Sequence, residues 1–144
     1  MAADPRVADL IPHAGAMCLL ERVECWNESS ITLATSSHRD PANPLAGRSG
    51  IRAIHLCEYG AQAMAVHGGL AARARGERAA PGMLVSLRDV AFHRDFIDDL
   101  DGELRVEAHR IHASDSAWQY SFRVTHAGVL IAQGRAVVSA ATGS

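Results

Sequence analysis

The chain has 144 residues, 48% of them hydrophobic and 21% charged, with a formal net charge of −2 at pH 7. That is the length of one domain, 1–144, and enough chain to bury a core without disulfide or metal staples. The charge carries no nucleic-acid footprint, no stretch is long and apolar enough to span a membrane, and Cys18, Cys25 and Cys57 have neither metal-ligand nor disulfide spacing.

The opening MAADPRVADLIPHAG lacks a basic region followed by an apolar run, so no secretory leader is expected and the expected location is cytoplasmic. Val7 to Ile11, closed by Pro12, reads as a brief helix or turn. Met17 to Trp26 reads as a strand, Asn27-Glu28-Ser29 as a turn, and Ser30 to Ser36 as a second strand rich in β-branched residues at period two. Together they predict a hairpin. Ser37 to Gly50, SHRDPANPLAGRSG, has prolines, glycines, Asp40 and Asn43 at spacings that exclude regular structure. Irregular stretches of that length inside a domain are uncommon and often functional.

Ile51 to Arg75 is the one long proline-free run with helical character. Small residues and apolar residues occupy most of its surface, so other structure should wrap it. Glu58 and Gln62 stand four apart on one face, and His55 lies a turn before Glu58 on the same side. A carboxyl on such a helix has to be paired, hydrogen-bonded or kept protonated. Gly68-Gly69 should weaken the helix and Gly76 should end it. After Pro81-Gly82 the pattern turns to strands: Met83 to Phe92, Glu103 to Ala113, Trp118 to Thr125 and Val129 to Ala141, joined by short turns. A hairpin, a long loop, one long helix and an antiparallel meander predict an α+β fold in which a curved sheet wraps a central helix, the hotdog layout.

Several motifs in this order resemble the β-hydroxyacyl-carrier-protein dehydratases. The opening LIPHAGAMCLLERVE, the helix motif Glu58-Tyr59-Gly60-Ala61-Gln62, and Phe92-His93-Arg94-Asp95-Phe96 followed by Asp101-Gly102-Glu103-Leu104 carry the likeness over nearly the whole chain. HRDPANPL and EYGAQAMAVHGG look most similar to the dehydratase-like proteins of aryl-polyene and related pigment pathways. The resemblance implies a hotdog dimer, homomeric or heteromeric, acting on an acyl-carrier-protein-bound substrate, without metal or cofactor. The reaction implied is loss of water from a 3-hydroxyacyl thioester to give the trans-2-enoyl product, in fatty-acid or aryl-polyene-type biosynthesis.

On that resemblance Glu58 is the catalytic acid that assists departure of the hydroxyl, and Gln62 orients it or a site water. A loop histidine of the other subunit is the base. The family's His-aromatic-Pro is absent; Pro44 stands where its histidine would be. His38, in His38-Arg39-Asp40-Pro41, is the nearest upstream loop histidine and the expected base, with His55 the alternative. His13 is expected to be structural, and His67, His93, His109, His112 and His126 solvated or on strand faces. The helix start, with Gly50, Arg52, Ala53 and His55, would bind substrate, its amides polarising the thioester carbonyl. Arg48, Arg52, Arg73, Arg75 and Arg78 are candidates for an acidic carrier protein. A non-catalytic partner subunit and an acyl thioesterase are the alternative functions.

Overall fold

Period-two stretches of the sequence become strands in the computed structural model, which describes residues 6–10, 17–77 and 82–140. β1 (Arg22–Trp26) and β2 (Ser30–Thr35) form the hairpin; β3 (Gly82–Phe92), β4 (Leu104–Ala113), β5 (Ala117–His126) and β6 (Val129–Ala140) follow the helix α1 (Leu56–Ala74). All pairings are antiparallel, in one six-stranded sheet of order β1-β2-β4-β5-β6-β3. The sheet curves around α1, which makes this a hotdog fold.

Register explains the core. Leu33, Val106, Val124, Ala132 and Phe92 lie opposite one another across five strands. The next row inward brings Ile31, Ala108, Phe122 and Gly134 together. Arg105, Glu107 and His109 alternate out of this face, as period two requires. α1 rests chiefly on β2, β4 and β5. Its approach is set by glycine: a Cβ at Gly60 would stand 2.7 Å from the Phe122 ring, and one at Gly134 would stand 2.8 Å from the ring's other side. Phe122 is therefore clamped between helix and sheet at positions where only hydrogen fits.

The element boundaries differ from expectation for identifiable reasons. β1 begins at Arg22, not Met17, because the preceding backbone is claimed by side chains. Gln62 Nε2 donates to the Met17 carbonyl at 2.7 Å, Gln62 Oε1 accepts the Leu19 N–H at 2.9 Å, and Thr35 Oγ1 donates to the Leu19 carbonyl at 2.6 Å. The helix begins late. Ile51 and Arg52 are non-helical, Ala53–His55 is a 3-10 turn, and α1 proper starts at Leu56. Gly68 and Gly69 do not interrupt it. It ends at Gly76, with φ +72°, where Glu77 N–H bonds the Ala72 carbonyl and Gly76 N–H the Arg73 carbonyl. This is the Schellman closure that glycine permits. The segment Ser37 to Gly50 is irregular apart from a 3-10 turn at Ser37–Arg39. Pro12-His13 and Arg78 lie outside the described residues.

The two sheet edges differ. β1 is short, has a register shift between Val23 and Cys25, and carries Arg22 and Glu24, which pair with Glu103, just before β4, and Arg105 of β4. β3 is longer and exposes Met83, Leu84, Val85 and Leu87, with Met83 64% and Val85 60% accessible.

Candidate active site

The face of α1 that carries Glu58 meets the segment before β1. Gln62 is fully buried, spans Met17 and Leu19, and its Nε2 also reaches Glu58 Oε1 at 3.4 Å. Three bonds leave Gln62 no rotational freedom, so it fixes the carboxyl of half-buried Glu58 from one side. His55 is half-buried on the same face, where the 3-10 turn meets the helix.

One residue around the helix, Tyr59 turns to the long loop. It is fully buried, and its hydroxyl lies 3.0 Å from Ser37 Oγ and accepts from Asn43 Nδ2 at 3.2 Å. Asn43 Nδ2 also donates to the Ser37 carbonyl at 2.9 Å. Burial pushes the Tyr59 phenol up, so it remains a neutral hydrogen-bonding group. These bonds fasten the turn that carries His38.

His38 is 1% accessible. Its Nε2 lies 2.8 Å from the Leu100 carbonyl, which can only accept, so Nε2 carries the proton. Nδ1 is then a bare acceptor, and it is the buried side-chain polar atom without a partner among the described residues. Burial pushes the imidazole below its ordinary value, opposed by the bond to Leu100; Arg39 and His126 lower it further and Asp98 raises it. His38 is thus a neutral ring with an unshared lone pair. Leaving such an acceptor bare in the fold costs about 1–3 kcal/mol, and groups of this kind cluster at functional sites.

The helix start is tied to residues 93–103, between β3 and β4. The Ile51 N–H bonds Asp98 Oδ1 at 2.9 Å, the Ala53 N–H bonds the Asp95 carbonyl at 2.8 Å, and the Gly50 N–H bonds the Gly47 carbonyl at 3.2 Å. The amides of Gly50 and Ala53, expected to receive a substrate carbonyl, are therefore already committed. Arg52 pairs with Phe96 as an isolated bridge residue and its guanidinium sits 5.6 Å from that ring. The bonds flanking this pair turn the Arg52 N–H away from Phe96, and among the described residues it has no acceptor.

Glu58 bonds Gln62 and His38 bonds the Leu100 carbonyl; the Ser37 N–H donates to Thr35 Oγ1 at 3.1 Å, and Thr35 Oγ1 donates to the Leu19 carbonyl, which links the turn of His38 to the Gln62 group. The sequence reading missed Tyr59, Asn43 and Asp98. Tyr59 is legible only as the neighbour of Glu58, turned about 100° around the helix, and Asn43 only as an Asx-turn residue. His67, expected to be solvated, is fully buried: Nδ1 lies 2.7 Å from the Tyr120 hydroxyl and Nε2 2.8 Å from the Asn27 carbonyl. No group of metal-ligating side chains occurs among the described residues, and no described helix is long and apolar enough to cross a membrane. The cysteines are free, and burial pushes the Cys18 and Cys57 thiols up, away from the reactive thiolate.

A curved antiparallel sheet wrapped around one long helix places the chain among the hotdog proteins. Its sequence matches the ApeP-like family, described as ApeP dehydratase, over residues 5–142, and the chain belongs to that family. No curated protein matches it. Among solved structures it is similar to the dehydratase heterocomplex ApeI:P from Xenorhabdus doucetiae, with TM-score 0.87 and 21% identity over 97% of this chain and 93% of that one. A hypothetical thioesterase with coenzyme A from Streptococcus pneumoniae TIGR4 gives TM-score 0.62 and 11% identity over 83% and 84%. The protein AziG from S. sahachiroi gives 0.55 and 19% over 86% and 91%.

Proposed function

We propose that the chain is a subunit of a 3-hydroxyacyl-carrier-protein dehydratase, forming trans-2-enoyl thioesters in fatty-acid or aryl-polyene-type biosynthesis. The observation that carries this reading is His38: a buried, neutral imidazole with Nε2–H fixed on the Leu100 carbonyl and Nδ1 bare. His38 Nδ1 takes the C2 proton, which the thioester carbonyl acidifies. The electron pair moves toward that carbonyl, polarised by the Arg52 amide at the helix start. Glu58, held by Gln62, delivers a proton to the departing C3 hydroxyl, which leaves as water. Proton removed and proton delivered balance, and the product is the enoyl thioester.

In this reading, as the family resemblance implies, each site takes its acid from one subunit and its base from another. The exposed β3 edge is where the second hotdog subunit adds. α1 rests chiefly on β2, β4 and β5, and β3, which has no fully buried residue, is left to the partner. The ApeI:P structure, a heterocomplex of dehydratase subunits by its description, supports a heteromeric assembly. The missing His-aromatic-Pro supports a second reading: a structural subunit whose partner supplies all the chemistry.

The test is incubation of the purified chain, alone and with a co-expressed hotdog partner, with 3-hydroxyacyl carrier protein, followed by intact-protein mass spectrometry. The expected product has lost one water. Glu58→Gln and His38→Ala should each lower kcat by about 10²–10⁴-fold. Release of free acid and thiol would identify a thioesterase. Full activity in both variants would assign the chain the structural role.

A further inference from the structure

We infer that Asp98 is a positioning residue that locks the helix start to the turn bearing His38. The inference rests on the dehydratase reading and adds a residue to it. Residues 93–103 contain no strand, yet they contact both the helix start and the turn that carries His38. On one side the Asp98 carboxylate accepts the Ile51 N–H at 2.9 Å, the Ile97 N–H donates to the Ile51 carbonyl at 3.0 Å, and the Asp95 carbonyl accepts the Ala53 N–H. On the other side the Leu100 carbonyl holds His38 Nε2, and Arg39 Nη1 donates to the Asp98 carbonyl at 3.2 Å. Ile97 and Leu100, both buried, anchor the segment in the core.

Asp98 is where the two sides meet. Its side chain reaches the helix start and its main-chain oxygen reaches the residue after His38. Gly50 is built to receive it. Its φ of +113° suits glycine, and a Cβ there would collide with the Asp98 carboxylate. The glycine before the helix and the aspartate in the connector are thus two parts of one joint. The half-buried carboxylate also pushes the His38 imidazole upward, against Arg39 and His126, which lower it. Carbonyl-polarising amide and base have to be aligned within about 0.5 Å, and Asp98 is the side chain that ties one to the other.

The experiment compares Asp98→Ala, Asp98→Asn and Gly50→Ala in the assembled enzyme. Asp98→Ala should lower kcat about 10–100-fold, the cost of a misplacement on the order of 1 Å, with KM changed much less. Asp98→Asn keeps an oxygen for the Ile51 N–H and should recover most of the loss; Gly50→Ala should resemble Asp98→Ala. Nitrogen-15 spectra of the histidine rings read the same joint without catalysis. The native protein should show His38 as the Nε2–H tautomer and a protected Ile51 amide, and Asp98→Ala should lose both while His67 is unchanged. Should the native assembly fail to dehydrate any substrate, the dehydratase reading falls and the spectra alone decide on Asp98. An Asp98→Ala protein with native kcat overturns the inference, as does an unaltered His38 tautomer with a protected Ile51 amide. An Asp98→Asn variant as impaired as Asp98→Ala also overturns it.

Discussion

Replacing His67 with leucine tests the buried bridge between α1 and the sheet. The ring joins the Tyr120 hydroxyl at 2.7 Å to the Asn27 carbonyl at 2.8 Å and meets Tyr120 edge-on, centroids 5.6 Å apart. The Asn27 carbonyl accepts and never donates, so Nε2 carries the proton and Nδ1 accepts from Tyr120. Leucine is of similar size, so the loss is polar rather than a cavity. Two hydrogen bonds at about 1 kcal/mol each, plus a buried phenolic proton left without its acceptor at about 1–3 kcal/mol, give an expected destabilisation of about 3–5 kcal/mol. Urea unfolding at fixed protein concentration and pH 7.5 measures it. Tyr120→Phe removes the same bond from the other end, so the two changes should be non-additive by about 1–2 kcal/mol in a double-mutant cycle. Losses that sum to within about 0.5 kcal/mol would refute the bridge.

Three further outcomes follow from the geometry. Burial pushes both His38 and His67 below the ordinary histidine value. The unfolded chain therefore binds protons that the folded chain refuses. Stability should be full above about pH 6.5 and fall as pH drops below it toward the folded values, by up to about 1.4 kcal/mol per pH unit for each ring; urea midpoints between pH 7.5 and 5.5 follow this, and a flat profile contradicts it. Gly60→Ala should cost about 1–3 kcal/mol by overpacking against Phe122, whereas Gly68→Ala, with open space around its Cβ, should be neutral or stabilising by up to about 1 kcal/mol; thermal melts separate the two. Tyr59→Phe should remove the bonds to Ser37 and Asn43, cost about 1–2 kcal/mol, and speed hydrogen exchange in residues 37–46, which mass spectrometry resolves.

The architecture was legible because it rests on periodicity. Leu104, Val106 and Ala108 alternate with Arg105, Glu107 and His109, and no other arrangement buries the first set while wetting the second. The contact between Glu58 and Gln62 was legible as well, since four-residue spacing alone brings the two side by side. What stayed hidden depends on contacts between residues far apart in sequence. Met17 to Leu19 have apolar residues suited to a strand, but Gln62 takes their hydrogen bonds. Ile51 and Ala53 read as helix, but their amides go to Asp98 and Asp95. His67 looks like any helix histidine until Asn27 and Tyr120 are placed beside it. A periodic pattern shows which way a side chain faces; it cannot show which distant carbonyl waits there.

The unlike edges of the sheet limit how far assembly can go. Strand addition propagates only when a chain offers an open ladder at both ends, as fibre-forming sheets do. Here the β1 end is brief, shifted in register and studded with paired charges, while the β3 end is long and greasy. Once two β3 edges join, each newly made end is a β1 edge that accepts no further strand. In the proposed assembly the β1–β2 hairpin therefore acts as a terminator: it would let the sheet double and stop it there, keeping a sticky apolar strand sealed inside a closed pair.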